Sequence, residues 1–315
     1  MSHLQRAPFL FMYKRKTGTG TGTTMTIELS KELQEAVTYA RAAKPTQARA
    51  FKALHALDLT SLRGNETKAD IRDLVMKAEL HHLASVCVMP RKVRTARAAR
   101  AFNSSVKIAT VTNFPDGIHL TGTSEIATPL STAEAIIRNN RNGANQNDIV
   151  LDFEGFLAAS ISKNSVKLEQ IGSLLQSCRD NAGTSTMKII IGTAAFNDST
   201  LLREACEFSA GFGPDCLKTD TGFHPNGGAT LEKTAIMMQV AKEYGLGVKI
   251  SAGVKDEFHA AQYQALAEAI FGYDISSNPN IFRIGASSVL PRLENFARNG
   301  KVLETNPGDV PSPQY

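Results

Sequence analysis

The chain has 315 residues, 42% of them hydrophobic and 21% charged, with a formal net charge of +5. That is ample for a buried core in one large domain or two ordinary ones, and the mild basic excess is scattered without an aromatic-plus-basic module, so no nucleic-acid partner is expected. Its four cysteines, Cys87, Cys178, Cys206 and Cys216, have no CxxC or Cys/His spacing, which argues against a metal site and for reduced thiols in a cytoplasmic protein.

The first segment, MSHLQRAPFLFMYKRKTGTGTGTT, combines a short apolar run, a basic cluster and a Gly-Thr repeat. The apolar run is too short to span a bilayer and no later segment is long and apolar enough, so no membrane association is expected. No acidic residue precedes Glu28. Residues 1–29 therefore read as a disordered or leader extension, with the Gly-Thr stretch as a flexible linker.

A helix over 30–43 comes next. Short β-rich runs then alternate with longer amphipathic stretches. Strands are expected at 55–59, 84–89, 106–112, 148–153, 187–193, 215–219, 247–251 and 282–286, eight in all. Helices are expected near 67–79, 92–102, 131–142, 165–182, 198–210, 229–244, 256–271 and 288–299. Ser131, Ser165 and Asp256 read as their starts, and Gly143, Gly183, Gly245 and Gly272 as their stops. Eight βα units without a sequence repeat predict an α/β fold, a TIM (β/α)8 barrel with an extra N-terminal helix. The competitor is a doubly wound open sheet, but Thr-Ser-Leu-Arg-Gly after the first strand is not its glycine-rich fingerprint. Residues 30–300 form the barrel in this reading, and 301–315 a flexible C-terminal tail.

In a barrel the chemistry sits at the C-terminal ends of the strands. Residues read there include Asp58, Cys87, Asp148 (opening the fourth strand), Lys188, Lys218, Lys249 and the pair Ser287-Ser288. Lys188, Lys218 and Lys249 fall on consecutive strands, so their side chains can share one mouth. Two neighbouring ammonium groups disfavour each other's charge. One amine is then neutral enough to attack an aldehyde, while Asp148 shuttles protons. The plain alternative is that each lysine snorkels to solvent from a strand end.

The segments LDLTSL (57–62), SVCVMPRKV (85–93), VKIATVTNFPDG (106–117), NDIVLDF (147–153), MKIIIGT (187–193), LKTDTG (217–222), VKISAGV (248–254) and FRIGASSVL (282–290) resemble, in order, those of the deoxyribose-phosphate aldolases. The resemblance covers about residues 30–299. It implies a class I aldolase, a lyase without metal or cofactor, that reversibly cleaves 2-deoxy-D-ribose 5-phosphate to acetaldehyde and D-glyceraldehyde 3-phosphate. It implies Lys218 as the Schiff-base lysine, Lys249 as the neighbour that lowers its pKa, and Asp148 in the proton relay. Lys188, Asp58, Cys87 and Thr221 match supporting positions. Gly222, Gly253, Gly285, Ser287 and Ser288 match the phosphate site, where helix N-termini favour a dianion. Some members of that family end in a tyrosine on a mobile tail that reaches the site, and this chain ends in Tyr315.

Five positions depart from the family's pattern, one of them Ile250, which replaces a proline. Phe223 stands where a lysine helps to bind phosphate, Asp220 where a serine is common, Ala252 in place of a glycine, and Gly192 in place of a glutamate. Loss of one charged contact would weaken phosphate binding by about 1–3 kcal/mol. Asp220, two residues from Lys218, would raise the lysine's pKa if it faced inward. The alternatives are an aldolase of altered substrate and a catalytically weak barrel that binds a protein partner. A homodimer through outer helices is compatible with the sequence, although no heptad marks it.

Overall fold

The computed structural model describes residues 27–303. The expectations for the chain up to residue 26 and for Tyr315 fall outside them. Eight parallel strands close into a barrel in sequence order: β1 (Leu57–Ser61), β2 (Ser85–Val88), β3 (Lys107–Thr112), β4 (Gln146–Val150), β5 (Thr186–Ile190), β6 (Cys216–Lys218), β7 (Gly247–Ser251) and β8 (Phe282–Ala286). The helices are α1 (Lys31–Ala42), α2 (Gln47–His55), α3 (Lys68–Leu80), α4 (Val93–Ala99), α5 (Pro129–Asn142), α6 (Phe153–Ser162), α7 (Ser165–Asn181), α8 (Ser199–Ala210), α9 (Leu231–Glu243), α10 (Glu257–Phe271) and α11 (Leu290–Asn299). The expected TIM barrel is therefore the observed one.

Local chemistry sets the helix ends. Thr67 and Asp70 form a reciprocal capping box at α3, and Asp256 accepts from the His259 N–H at α10. Gly143 and Gly272 close α5 and α10 in the left-handed conformation. Ser131 is the third residue of α5 and closes a capping box begun by Thr128, and Asn164, one residue before Ser165, caps α7.

Two helices escaped the sequence pattern. The segment QARAFKALH forms α2, capped by Thr46, so His55 ends a helix and β1 begins only at Leu57. The apolar run 148–153, read as one strand, is broken where Asp152 accepts from the Gly155 N–H and starts α6. The fourth strand begins at Gln146, so Asp148 sits in its middle instead of opening it.

Register decides what faces inward. Asp148 pairs with Lys188, Ile190 with Lys218, Lys218 with Lys249, Lys249 with Arg283, and Asp58 with Gly285. Paired residues on adjacent strands share a face of the sheet. The barrel interior thus collects Asp58, Cys87, Gln146, Asp148, Lys188, Lys218, Lys249 and Arg283. The alternate residues, such as Leu57, Leu59, Ile149, Ile189, Leu217, Val248 and Ile284, are buried in the apolar core. Branched apolar side chains usually fill a barrel; here charged groups take much of that space.

Candidate active site

The interior charges form one connected cluster. Asp148 Oδ2 lies 3.0 Å from Lys218 Nζ and 2.7 Å from Lys249 Nζ, and Asp148 Oδ1 lies 2.8 Å from Lys188 Nζ. Lys188 also donates to Gln146 Oε1 at 2.6 Å. Lys249 makes a second ion pair, 2.6 Å, to Asp58 Oδ2, and Arg283 grips Asp58 Oδ1 through Nε at 2.7 Å and through Nη2. All are buried, with Lys218 only 3% exposed. Snorkelling of the three lysines to solvent is excluded by this burial: each amine has a carboxylate partner inside the barrel.

Burial would by itself raise the pKa of Asp148, but the charges of Lys188, Lys249 and Lys218 overturn this and hold the carboxylate well below its usual range. Asp58 behaves likewise under Arg283, Lys249 and Lys188. For Lys249, burial is outweighed by Asp148 and Asp58, which hold the amine well above the ordinary lysine value. Lys218 moves the other way. Burial, then the charge of Lys249, lowers its pKa, and Asp148 compensates only in part. The cluster therefore sets a lysine whose charged form is favoured beside one whose charged form is disfavoured. Burial raises the pKa of the Cys87 thiol inside the same barrel.

Gly285 makes room for this arrangement. A Cβ there would meet Lys249 Cε at 2.9 Å and Ser251 Cβ at 3.1 Å. At the C-terminal ends of β7 and β8, Gly253, Lys255, Gly285, Ser287 and Ser288, together with Ala252, Val254 and Ala286, line a small cleft. Gly222 and Phe223 lie on the loop after β6 and are not among its lining residues. Thr221 is buried on that loop and accepts from the Phe223 N–H at 3.3 Å.

The sequence model described as DeoC/LacD family aldolase matches residues 52–287, from the end of α2 to just beyond β8. The chain belongs to this aldolase family. It is 33% identical to a deoxyribose-phosphate aldolase of Agrobacterium fabrum (strain C58 / ATCC 33970) over 269 residues, 84% of this chain and 97% of that one. Among solved structures it is similar to QR15, an aldolase, at 26% identity and TM-score 0.63, covering 80% of this chain and 99% of that one. The deoxyribose phosphate aldolase from Aeropyrum pernix, whose structure is described as tetrameric, shares the fold at 22% identity and TM-score 0.60. That match covers 85% of this chain and 97% of the other.

Within this aldolase, Asp220 does not face Lys218. β6 ends at Lys218, so strand alternation stops before residue 220. The Asp220 carboxylate accepts from Thr193 Oγ1 at 2.5 Å and from the Ala194 N–H at 2.8 Å. It ties the loop after β5 to the loop after β6, and burial raises its pKa. Ala252, at the position of a family glycine, adopts a left-handed backbone with φ 62°.

Three members of the cluster and cleft went unnoticed in the sequence. Gln146 is two residues before Asp148 and shares its face, which correct strand bounds would have revealed. Arg283 in FRIGA is an inward position by alternation with Gly285. Lys255 follows β7 by four residues and has no sequence signal beyond its nearness to Gly253. Among the described residues no group of three or more His, Cys, Asp or Glu side chains is placed to hold a metal ion. No helix among them is long and apolar enough to cross a membrane.

Proposed function

We propose that this chain is a cytoplasmic class I aldolase that reversibly cleaves 2-deoxy-D-ribose 5-phosphate to acetaldehyde and D-glyceraldehyde 3-phosphate, in deoxyribose and deoxyribonucleotide catabolism. The observation that carries the reading is the buried Lys218, whose pKa is lowered by burial and by Lys249, with Asp148 Oδ2 at 3.0 Å. A lysine of lowered pKa is the nucleophile that carbonyl chemistry needs at neutral pH.

The neutral Lys218 amine adds to the aldehyde carbon of the open-chain sugar and expels water to give an iminium ion. Asp148, kept ionised by its three lysines, accepts the proton of the substrate's 3-hydroxyl directly or through a water. The C2–C3 bond then breaks towards the iminium and glyceraldehyde 3-phosphate leaves. Reprotonation of the remaining enamine and hydrolysis free acetaldehyde and the lysine. Lys249 stays charged and holds Asp148 in position between itself and Lys218. Lys188 and Gln146 fix the other side of that carboxylate, and Asp58 with Arg283 anchors Lys249.

Gly253, Gly285, Ser287 and Ser288 hold the substrate phosphate in this reading, and Gly222 lies on the β6 loop outside the cleft lining. The cleft they line, open beyond β7 and β8, supports the assignment. Lys255 in the same cleft supplies the positive charge that Phe223 lacks.

The test is borohydride trapping with 2-deoxyribose 5-phosphate, read by peptide mass, together with the rate of glyceraldehyde 3-phosphate release. An adduct on Lys218 and phosphate-dependent turnover are expected, with 2-deoxyribose much slower. An adduct that survives in Lys218→Ala would overturn the assignment.

A further inference from the structure

The helices that follow β7 and β8 begin just after the loops that line the cleft, and a charge pair joins their first turns. Lys255 lines the cleft, and Glu257, two residues later, is the first residue of α10. Ser288 lines it too, and Arg292, four residues later, is the third residue of α11. Arg292 Nη1 stands 3.9 Å from Glu257 Oε2; the Glu257 side chain is fully buried and that of Arg292 is 25% exposed. Neither Glu257 oxygen receives a hydrogen bond from a described residue. At that distance the pair is held by charge and not by a hydrogen bond.

Packing does not account for Glu257. A buried carboxylate without hydrogen bonds is costly, and an apolar side chain of similar size would fill the same space at less cost. Its position gives it an electrostatic effect instead. The start of α10 is the positive end of the helix dipole, and two carboxylates already occupy it. Asp256 is the N-cap, accepting from the His259 N–H at 2.8 Å and lying 2.6 Å from His259 Nδ1. Burial would raise the pKa of Asp256, but the hydrogen bonds and charge of His259, and then the charge of Arg292, lower it. Arg292 thus acts on both carboxylates. It is not among the residues that line the cleft, so its charge reaches an anion there from behind the lining.

We propose that Glu257 and Arg292 act as opposing charges behind the β7–β8 cleft and together set its affinity for a phosphate dianion. Arg292 offsets the carboxylates at the start of α10, and Glu257 keeps the grip loose enough for release. Substrate and leaving product carry the same phosphate, so a tighter grip holds both alike and does not speed the chemical step. This rests on the phosphate reading above. Neither residue touches the anion; both act through the field in the cleft.

The experiment measures the binding of inorganic phosphate by calorimetry, and KM for 2-deoxyribose 5-phosphate beside KM for 2-deoxyribose. It uses the full-length enzyme, Arg292→Met, Glu257→Gln and the double variant. Arg292→Met is expected to weaken phosphate binding about tenfold and Glu257→Gln to tighten it by a similar factor, the scale of one nearby charge lost. The double variant returns close to the wild type, because the two charges cancel. The ratio of the two KM values follows the same order, a split that a general loosening of the fold would not produce. An unchanged phosphate affinity in either single variant overturns the proposal alone. So does a double variant as weak as Arg292→Met, since Arg292 would then be a direct ligand. Should Arg292→Met fail to fold, Glu257→Gln decides by itself. A wild type that binds no phosphate and has the same KM for both sugars overturns the phosphate reading and this proposal with it.

Discussion

Lys218 and Lys249 are paired across β6 and β7, and their nitrogens lie 3.0 and 2.7 Å from the same carboxylate oxygen, Asp148 Oδ2. Identical side chains on one oxygen nevertheless acquire opposite character. Lys249 is paired with two carboxylates, while Lys218 has one that it shares. Nearness to a second carboxylate, Asp58, separates the lysine held in its charged form from the one whose pKa is lowered.

Removing Lys249 tests that division of labour. In Lys249→Leu the repulsive charge beside Lys218 is gone, so Lys218 keeps its proton to higher pH. The acid limb of the pH–rate profile moves to higher pH, and trapping of acetaldehyde by borohydride at neutral pH slows by about 100-fold, in the range for loss of acid–base assistance. The rate of trapping measured across pH reads this directly. An unmoved limb would remove Lys249 from the role.

Lys218 itself carries a stability cost. Its folded-state pKa is lowered, so below the ordinary lysine pKa of about 10.4 the unfolded chain binds that proton more readily than the folded one. Stability is lost as pH falls through that range. Lys218→Met is expected to abolish trapping and to gain about 1 kcal/mol at neutral pH, measured by urea unfolding. A loss of stability would mean that pairing with Asp148 outweighs burial.

Asp220 gives the opposite pH signature to Asp148. Its pKa is raised by burial, so the folded state favours the protonated acid and stability falls as pH rises above the ordinary carboxylate range. Asn can keep both contacts, accepting from the Ala194 N–H and donating to Thr193. Asp220→Asn should be more stable by about 1 kcal/mol near pH 8, with the difference vanishing below about pH 4. Unfolding curves at the two pH values decide it.

Ala252 holds a left-handed backbone that costs a residue with a Cβ about 1–2 kcal/mol. A glycine recovers that strain but adds entropy to the unfolded chain, so Ala252→Gly should gain about 0.5–1 kcal/mol in a thermal melt. Destabilisation would show that the methyl group packs favourably enough to outweigh the strain.

Lys255 is exposed at the rim of the β7–β8 cleft. If it meets the substrate phosphate, Lys255→Ala raises KM for 2-deoxyribose 5-phosphate about tenfold and leaves kcat nearly unchanged, the pattern of lost uniform binding. The same change should leave KM for 2-deoxyribose where it was. Equal effects on both sugars would remove Lys255 from the phosphate site.

Sequence by itself determined the barrel and most of its charged interior. Alternation of short apolar runs with capped helices is local, and GVKIS and FRIGA coincide with β7 and β8 because turn residues bound both runs. Lysines on three successive strands were legible for the same reason. Apolar continuity concealed α2 and α6, since HALDL and DIVLDF read as single strands although each contains a helix boundary. Tertiary structure decided the rest: that the pKa of Lys218 is lowered while that of Lys249 is raised, that Asp220 turns away to Thr193, and that Phe223 reaches Phe114 instead of the cleft at the ends of β7 and β8. Strand and helix patterns depend on neighbours along the chain. A pKa, or the direction a loop side chain takes, depends on burial and on charges a few ångströms away across strands far apart in sequence.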